Sequence, residues 1–391
     1  MKRFGWILVV LMAASPVWAA KKITVQQLQE LLTAAQAAKK TDAEVASQLK
    51  QVELTEELTR ATMNSLVQYV PGPYSTEQIY VLEARSAVLP PPRADLPSTA
   101  APDAAAQKAI LDKAIDYAGK TYGQLPALTA TKTTVRFQDN VEATTASSGM
   151  HSGATDSASS DPNLVNAGQF VHYINSTESN VQIQNGVEQN PLSKDKTPWG
   201  ANGYIALIGN GPALSGVISD AEAAGKISFL RWESVNGKAA AVFTFWVDKK
   251  KTHYAINYCC FPDVDQAGML SYSSRTQGSG PGAHGNLQTA TSWKNYKATI
   301  PYHGEIFIDP DTGIVVRLVV EGDFKNTDVV HQEDQRIDFA PVTVGSKTLV
   351  LPIKTVINTE VVPNGDSQAV GKYTTRHTLF TAEYKNYQPG S

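Results

Sequence analysis

The sequence predicts an α+β protein with a helical N-terminal module and a large antiparallel β-sheet on which a further helix packs. One observation comes from Tyr302 to Leu318. There Ile306, Ile308, Ile314, Val316 and Leu318 recur with a period of two on either side of Asp309-Pro310-Asp311-Thr312-Gly313. That pattern reads as two strands joined by a tight reversal, in which Pro310 presets φ, Asp309 bonds the amides that follow and Gly313 takes positive φ. A second is helical spacing near the start of the chain, where Thr24 with Gln27 and Thr41 with Glu44 read as capping boxes before Leu28, Leu31, Leu32 and Val45, Leu49. A third is the run of alternating segments after residue 126, punctuated by Asn-Gly turns.

The first residues read as an export signal. Lys2 and Arg3 precede the apolar run Trp6 to Ala14, and Val17 and Ala19 hold the small-residue positions before a signal-peptidase cut, so residues 1–19 are expected to be removed. A periplasmic or secreted location follows. No later segment approaches the roughly 18 apolar residues of a membrane span, so no transmembrane segment is expected in the mature chain. Loss of Lys2 and Arg3 takes the 34 basic residues to 32 against 37 acidic ones, a net charge of −5, which argues against nucleic acid as a partner.

Residues 20–90 form the helical module. Leu54, Leu58 and Leu66 suggest a third helix, and Ser75 with Gln78 reads as the cap of a fourth carrying Ile79, Leu82 and Val88. Residues 91–103, rich in Pro, Ala and Ser, read as a linker, and residues 104–391 as the β-rich domain. Asp103 caps a helix through Ile110, Leu111 and Ile115. Thr131 to Phe137 alternate as a half-exposed strand, and residues 140–165 are a polar loop. Asn185-Gly186 marks a hairpin. Pro212 opens a helix that Gly225 closes, and Lys226–Val235, Ala239–Val247 and Thr252–Cys260 read as a three-strand meander. Its middle strand is apolar on both faces, so something covers both sides of it.

Motifs that carry chemistry are few. Gly209-Asn210-Gly211-Pro212 imitates a dinucleotide fingerprint, but Gly216 lies five residues after Gly211 where the motif wants three, so no cofactor is expected. The seven histidines never take the spacing of a helical zinc motif, and no metal is expected. There is no G-x-S-x-G elbow, P-loop or C-x-x-C, and no residue is assigned a catalytic role. Cys259 and Cys260 are adjacent. Bonding them would need a distorted turn, because a trans peptide holds their Cα atoms about 3.8 Å apart and a continuing strand points them to opposite faces. Two separate thiols are the alternative. Trp232, Phe243, Phe245 and Trp246, with Tyr302 and His303, are the candidate ligand-facing residues, set against ordinary burial in a core.

The C-terminal two thirds resembles the outer-membrane lipoprotein carrier (LolA-like) superfamily and the related periplasmic regulators of envelope stress. The likeness rests on the long antiparallel meander with one inserted helix and on the phrase Gly304-Glu305-Ile306-Phe307-Ile308-Asp309-Pro310-Asp311-Thr312-Gly313. The chain also resembles exported proteins of soil acidobacteria around Tyr258-Cys259-Cys260-Phe261-Pro262 and Tyr302-His303-Gly304. The first resemblance implies a curved, half-open barrel whose concave apolar face holds a lipid, a lipoprotein acyl chain or a protein partner. The expected function is therefore non-enzymatic binding on that face. The alternatives are an envelope interaction scaffold using the N-terminal helices and a secreted enzyme centred on His303 or the cysteines.

Overall fold

Both capping boxes form as read in the computed structural model of the chain. Thr24 and Thr41 each accept from the third helical amide while Gln27 and Glu44 reach back to the cap, opening α1 (Val25–Ala37) and α2 (Asp42–Leu49). The structure describes residues 21–138, 171–189, 206–207, 214–262, 293–325, 328, 330–361 and 377–390, apart from the side chains of 206–207, 257–262, 293–296 and 361. The export segment, the polar loop at 140–165, the Gly209 to Pro212 turn and the side chains of Cys259 and Cys260 lie outside the described residues.

The module adds α3 (Arg60–Leu66) and α4 (Pro73–Arg85), and a short parallel pair, β1 (Lys21–Ile23) with β2 (Val52–Leu54), that periodicity does not reveal. Its own core is Leu28, Leu32, Leu49, Leu58, Met63 and Ile79. The expected Ser75 cap is corrected. Helix α4 starts at Pro73, Ser75 lies inside its first turn, and the orphan amides of Tyr74 and Ser75 donate to the carboxylate of Asp42 on α2 at 3.0 and 2.8 Å.

Asp103 caps α5 (Ala104–Lys120), accepting from Ala106 N at 2.8 Å. The strands that follow are β3 (Leu128–Gln138), β4 (His172–Gln184), β5 (Val187–Gln189) and the two-residue β6 (Ala206–Leu207), then helix α6 (Leu214–Ala224). Asn185 and Gly186, at φ 51° and 74°, make the expected tight hairpin. The remaining strands are β7 (Ile227–Val235), β8 (Lys238–Val247), β9 (Ala255–Pro262), β10 (Trp293–Thr299), β11 (Tyr302–Ile308), β12 (Val315–Gly322), β13 (Val330–Val344), β14 (Lys347–Val361) and β15 (His377–Pro389).

Ten of these strands form one open antiparallel sheet, in the order β5-β4-β3-β15-β14-β13-β12-β11-β8-β7. The three-strand meander is corrected. The partner of β8 beyond β7 is β11, with Phe243 opposite Ile306, whereas β9 leaves to join β10 and β6 in a small separate sheet. Within that sheet, β9 shifts register against β10 between Lys294 and Tyr296, where Cys259 and Cys260 lie across from Asn295. The β11–β12 hairpin forms as expected, with Asp309 Oδ1 accepting from Asp311 N and Thr312 N and Gly313 at φ 76°.

Both faces of the large sheet are covered. On one, α5 and α6 pack over Phe243, Phe245, Tyr302, Ile306, Leu318 and Phe339. On the other, Val81, Ala84 and Ala87 of the module meet Phe137, Val356 and Leu379, and Val88 meets a cluster containing Val242, Phe307 and Val319. The result is three layers, with the sheet between two groups of helices.

A candidate ligand cleft between the module and the sheet

The expected apolar wall is not a single surface. Phe243, Phe245 and Tyr302 are almost wholly buried, and they fill the face under α5 and α6 instead of lining a cavity. Trp232 belongs to that same face. Its ring meets Phe229 edge-on at 5.6 Å and its indole N–H donates to Ala100 O in the linker at 2.8 Å. Trp246 and His303 are opposite one another on the other face, stacked at 4.9 Å. His303 Nδ1 lies 3.1 Å from Asp323, which fixes the ring. Alternation along β8 predicts this split, since odd and even positions of a strand face opposite ways.

An open cavity lies elsewhere, on the module side. It is a cleft of about 540 Å³ between α4 and the strands β3, β4 and β15. Helical periodicity brings Pro73, Thr76, Glu77, Tyr80 and Glu83 onto one stripe of α4, and Arg60 joins them from α3. Strand alternation supplies Thr133, Val135 and Phe137 from β3 and Thr381 and Glu383 from β15, while Tyr173 closes the side at β4. Tyr173 stands edge-on to Phe137 at 6.1 Å. It is 45 % exposed and Tyr80 40 %, so both rings are reachable from solvent.

The charged groups of the cleft are unequally matched. Glu83 Oε1 accepts from Arg60 Nε at 3.2 Å and from Lys354 Nζ at 2.8 Å. Glu383 has Lys385 at 3.0 Å. Glu77 Oε1 accepts from the Tyr173 backbone N–H at 3.1 Å and from Gln78 Nε2 at 3.4 Å, and no cationic group pairs with it among the described residues.

Under the other face lies a chain of acids and phenols that the sequence does not signal. Asp220 on α6 receives Tyr302 OH at 3.0 Å and holds His253 Nδ1 at 2.6 Å, while Tyr254 OH donates to Glu333 at 2.7 Å. A carboxylate that orients an exposed imidazole could serve a general base. The hydroxyl bonded to Asp220, however, is that of Tyr302, whose pKa burial and the Asp220 charge raise far above the ordinary phenol value, so it keeps its proton. Burial also pushes Glu333 up to about 8, with the Asp334 charge adding to it against the Tyr254 bond. The described residues contain no group of three or more His, Cys, Asp or Glu side chains arranged to hold a metal ion.

The layers define an α+β protein built on one open antiparallel sheet. No family model matches the chain, and no curated protein matches it. Among solved structures it is similar to a LolA superfamily protein from Nitrosomonas europaea, at 9% identity and a TM-score of 0.25, over 73% of this chain and 94% of that one.

Proposed function

We propose that this is an exported, non-enzymatic binding protein that holds an apolar small molecule or acyl chain in the cleft between α4 and the sheet. The observation that carries this reading is the apolar lining of Pro73, Tyr80, Val135, Phe137 and Tyr173, reachable from solvent through the Tyr80 and Tyr173 rings, in a molecule whose other sheet face is filled by its own side chains. A concave, mainly apolar space with a few polar groups, at a junction between structural layers, is the usual form of a ligand site. Export rests on the pattern of the first 19 residues. A scaffold reading would need the helical module to act apart from the sheet, yet Glu57 and Glu83 of the module are bonded to Arg336 and Lys354 of the sheet.

Titration with N-phenyl-1-naphthylamine, a neutral fluorophore that brightens in apolar surroundings, tests the site. Saturable enhancement is expected in the wild type. Thr381→Trp, which places an indole into the cleft from a partly exposed strand position, is expected to abolish it. Equal binding by the two proteins would move the site elsewhere. Native mass spectrometry of the protein purified gently from its own envelope then identifies what the cleft carries.

A further inference from the structure

We infer that the ligand is an organic cation, an alkyl or aromatic body bearing a positively charged nitrogen that is recognised by Glu77 with Tyr80 and Tyr173. The inference rests on the cleft reading above and adds the chemical class of the ligand. Of the charged residues in the lining, Arg60 is engaged by Glu83, Glu83 is shared with Lys354, and Glu383 is matched by Lys385. Glu77 alone among the lining carboxylates has no cationic partner among the described residues. Tyr80 follows it by one helical turn, and the Tyr173 backbone amide is bonded to it.

Three classes of ligand fare differently here. An anionic amphiphile would bring a second negative charge beside Glu77, where a partly desolvated setting strengthens the repulsion. A neutral one would strip water from that carboxylate without replacing it. A cationic nitrogen supplies the missing counter-charge, and the negative faces of Tyr80 and Tyr173 add to the attraction while the apolar body covers Val135 and Phe137.

The test is calorimetric titration of the full-length mature protein with octyltrimethylammonium, octyl glucoside and octyl sulfate, each below its micelle concentration. The cation is expected to bind roughly tenfold more tightly than the glucoside, and the sulfate most weakly. Glu77→Gln keeps an oxygen to accept from Tyr173 N, and it is expected to erase the tenfold preference by weakening octyltrimethylammonium, while octyl glucoside, which no longer desolvates a carboxylate, binds at least as tightly as to the wild type. Equal affinity for the three probes, or an unaltered preference in Glu77→Gln, would overturn the cation assignment and leave the cleft standing. If none of the three binds, or if Thr381→Trp binds all three as the wild type does, the cleft reading falls and the cation assignment falls with it.

Discussion

Arg336, on the central strand β13, donates through Nη1 to the carboxylate of Glu57, a residue of the helical module 279 positions earlier in the chain. The pair is the module's anchor in a larger buried network. Arg336 also bonds Ala87 O at 3.0 Å and Asp338 at 3.1 Å, and Arg317 links Asp338 at 2.7 Å to Glu233 at 3.4 Å. Arg231 bridges Glu233 and Glu305, each at 2.8 Å. Burial alone would raise the pKa of Asp338, but Arg336 and Arg317 outweigh it and hold the carboxyl at about 2.

Removing one partner of such a pair leaves the other charge buried and uncompensated. Glu57→Ala is therefore expected to lower stability by about 3–5 kcal/mol, read from urea unfolding, and to weaken ligand binding because α4 loses its seat on the sheet. A loss below about 1 kcal/mol would mean that apolar contacts through Val81, Ala84 and Ala87 hold the module without this network.

Gly304 sits in the middle of β11, between Phe245 and Val320 on its neighbouring strands. A Cβ there would lie 2.0 Å from Val319 O and 3.1 Å from the Phe245 ring. The first of these is backbone in a central strand and cannot turn aside. Gly304→Ala is expected to cost about 3 kcal/mol or more, or to leave the protein insoluble, whereas Thr244→Ala on the adjacent strand should cost only about 1 kcal/mol. Comparable thermal midpoints for the two variants would contradict the close approach.

The reversal after β11 bears on α5 as well as on the hairpin. Lys113 Nζ donates to Pro310 O and Asp311 O, both at 3.1 Å, and a Cβ on Gly313 would meet the Lys113 backbone at 2.6 Å. Positive φ at Gly313 adds strain to any substitution there. Gly313→Ala is expected to destabilise by about 1–3 kcal/mol and Lys113→Met by about 1 kcal/mol. Hydrogen exchange should show the losses concentrated in α5 and the β11–β12 hairpin, and uniform loss across the sheet would refute the contact.

What the sequence made legible was local. The caps of Thr24, Thr41 and Asp103, the Asn185-Gly186 hairpin and the Asp309 to Gly313 reversal depend on residues within a few positions of one another, and all of them form. The doubly apolar β8 likewise announced that both its faces are covered. The strand beside β8 was not legible, because β9 and β11 are both apolar and alternating, and the choice is made by long-range pairing. The cap of α4 escaped for a similar reason, since its acceptor, Asp42, lies on another helix. The candidate site was missed because aromatic strand residues invite assignment to a ligand wall, whereas Phe243, Phe245 and Tyr302 fill the core. The cleft joins Tyr80, Phe137 and Tyr173, three residues from separate segments whose meeting no spacing encodes.

Glu333 and Asp334 give the fold an uncommon dependence on pH. Burial raises Glu333 from an ordinary 4.5 to about 8 and Asp334 from 3.8 to about 7, with the Asp334 charge assisting the first and the Glu321 charge the second. Between the ordinary and the raised values the folded chain keeps protons that the unfolded chain has released. Stability from these two groups is therefore complete at about pH 4 and is lost as pH rises toward 8, at up to about 1.4 kcal/mol per pH unit for each group. Asp338 acts in the opposite sense and only at the acid end, its contribution being lost as pH falls from about 4 toward 2. Glu333→Gln keeps the shape and a polar group for Tyr254 but has no proton to lose. Urea midpoints at pH 5, 6.5 and 8 are expected to fall for the wild type and to fall less steeply for Glu333→Gln, so that the variant gains on the wild type as pH rises. Parallel lines for the two proteins would show that Glu333 is ionised in the fold at neutral pH and that its buried oxygen without a hydrogen-bond partner is reached by water.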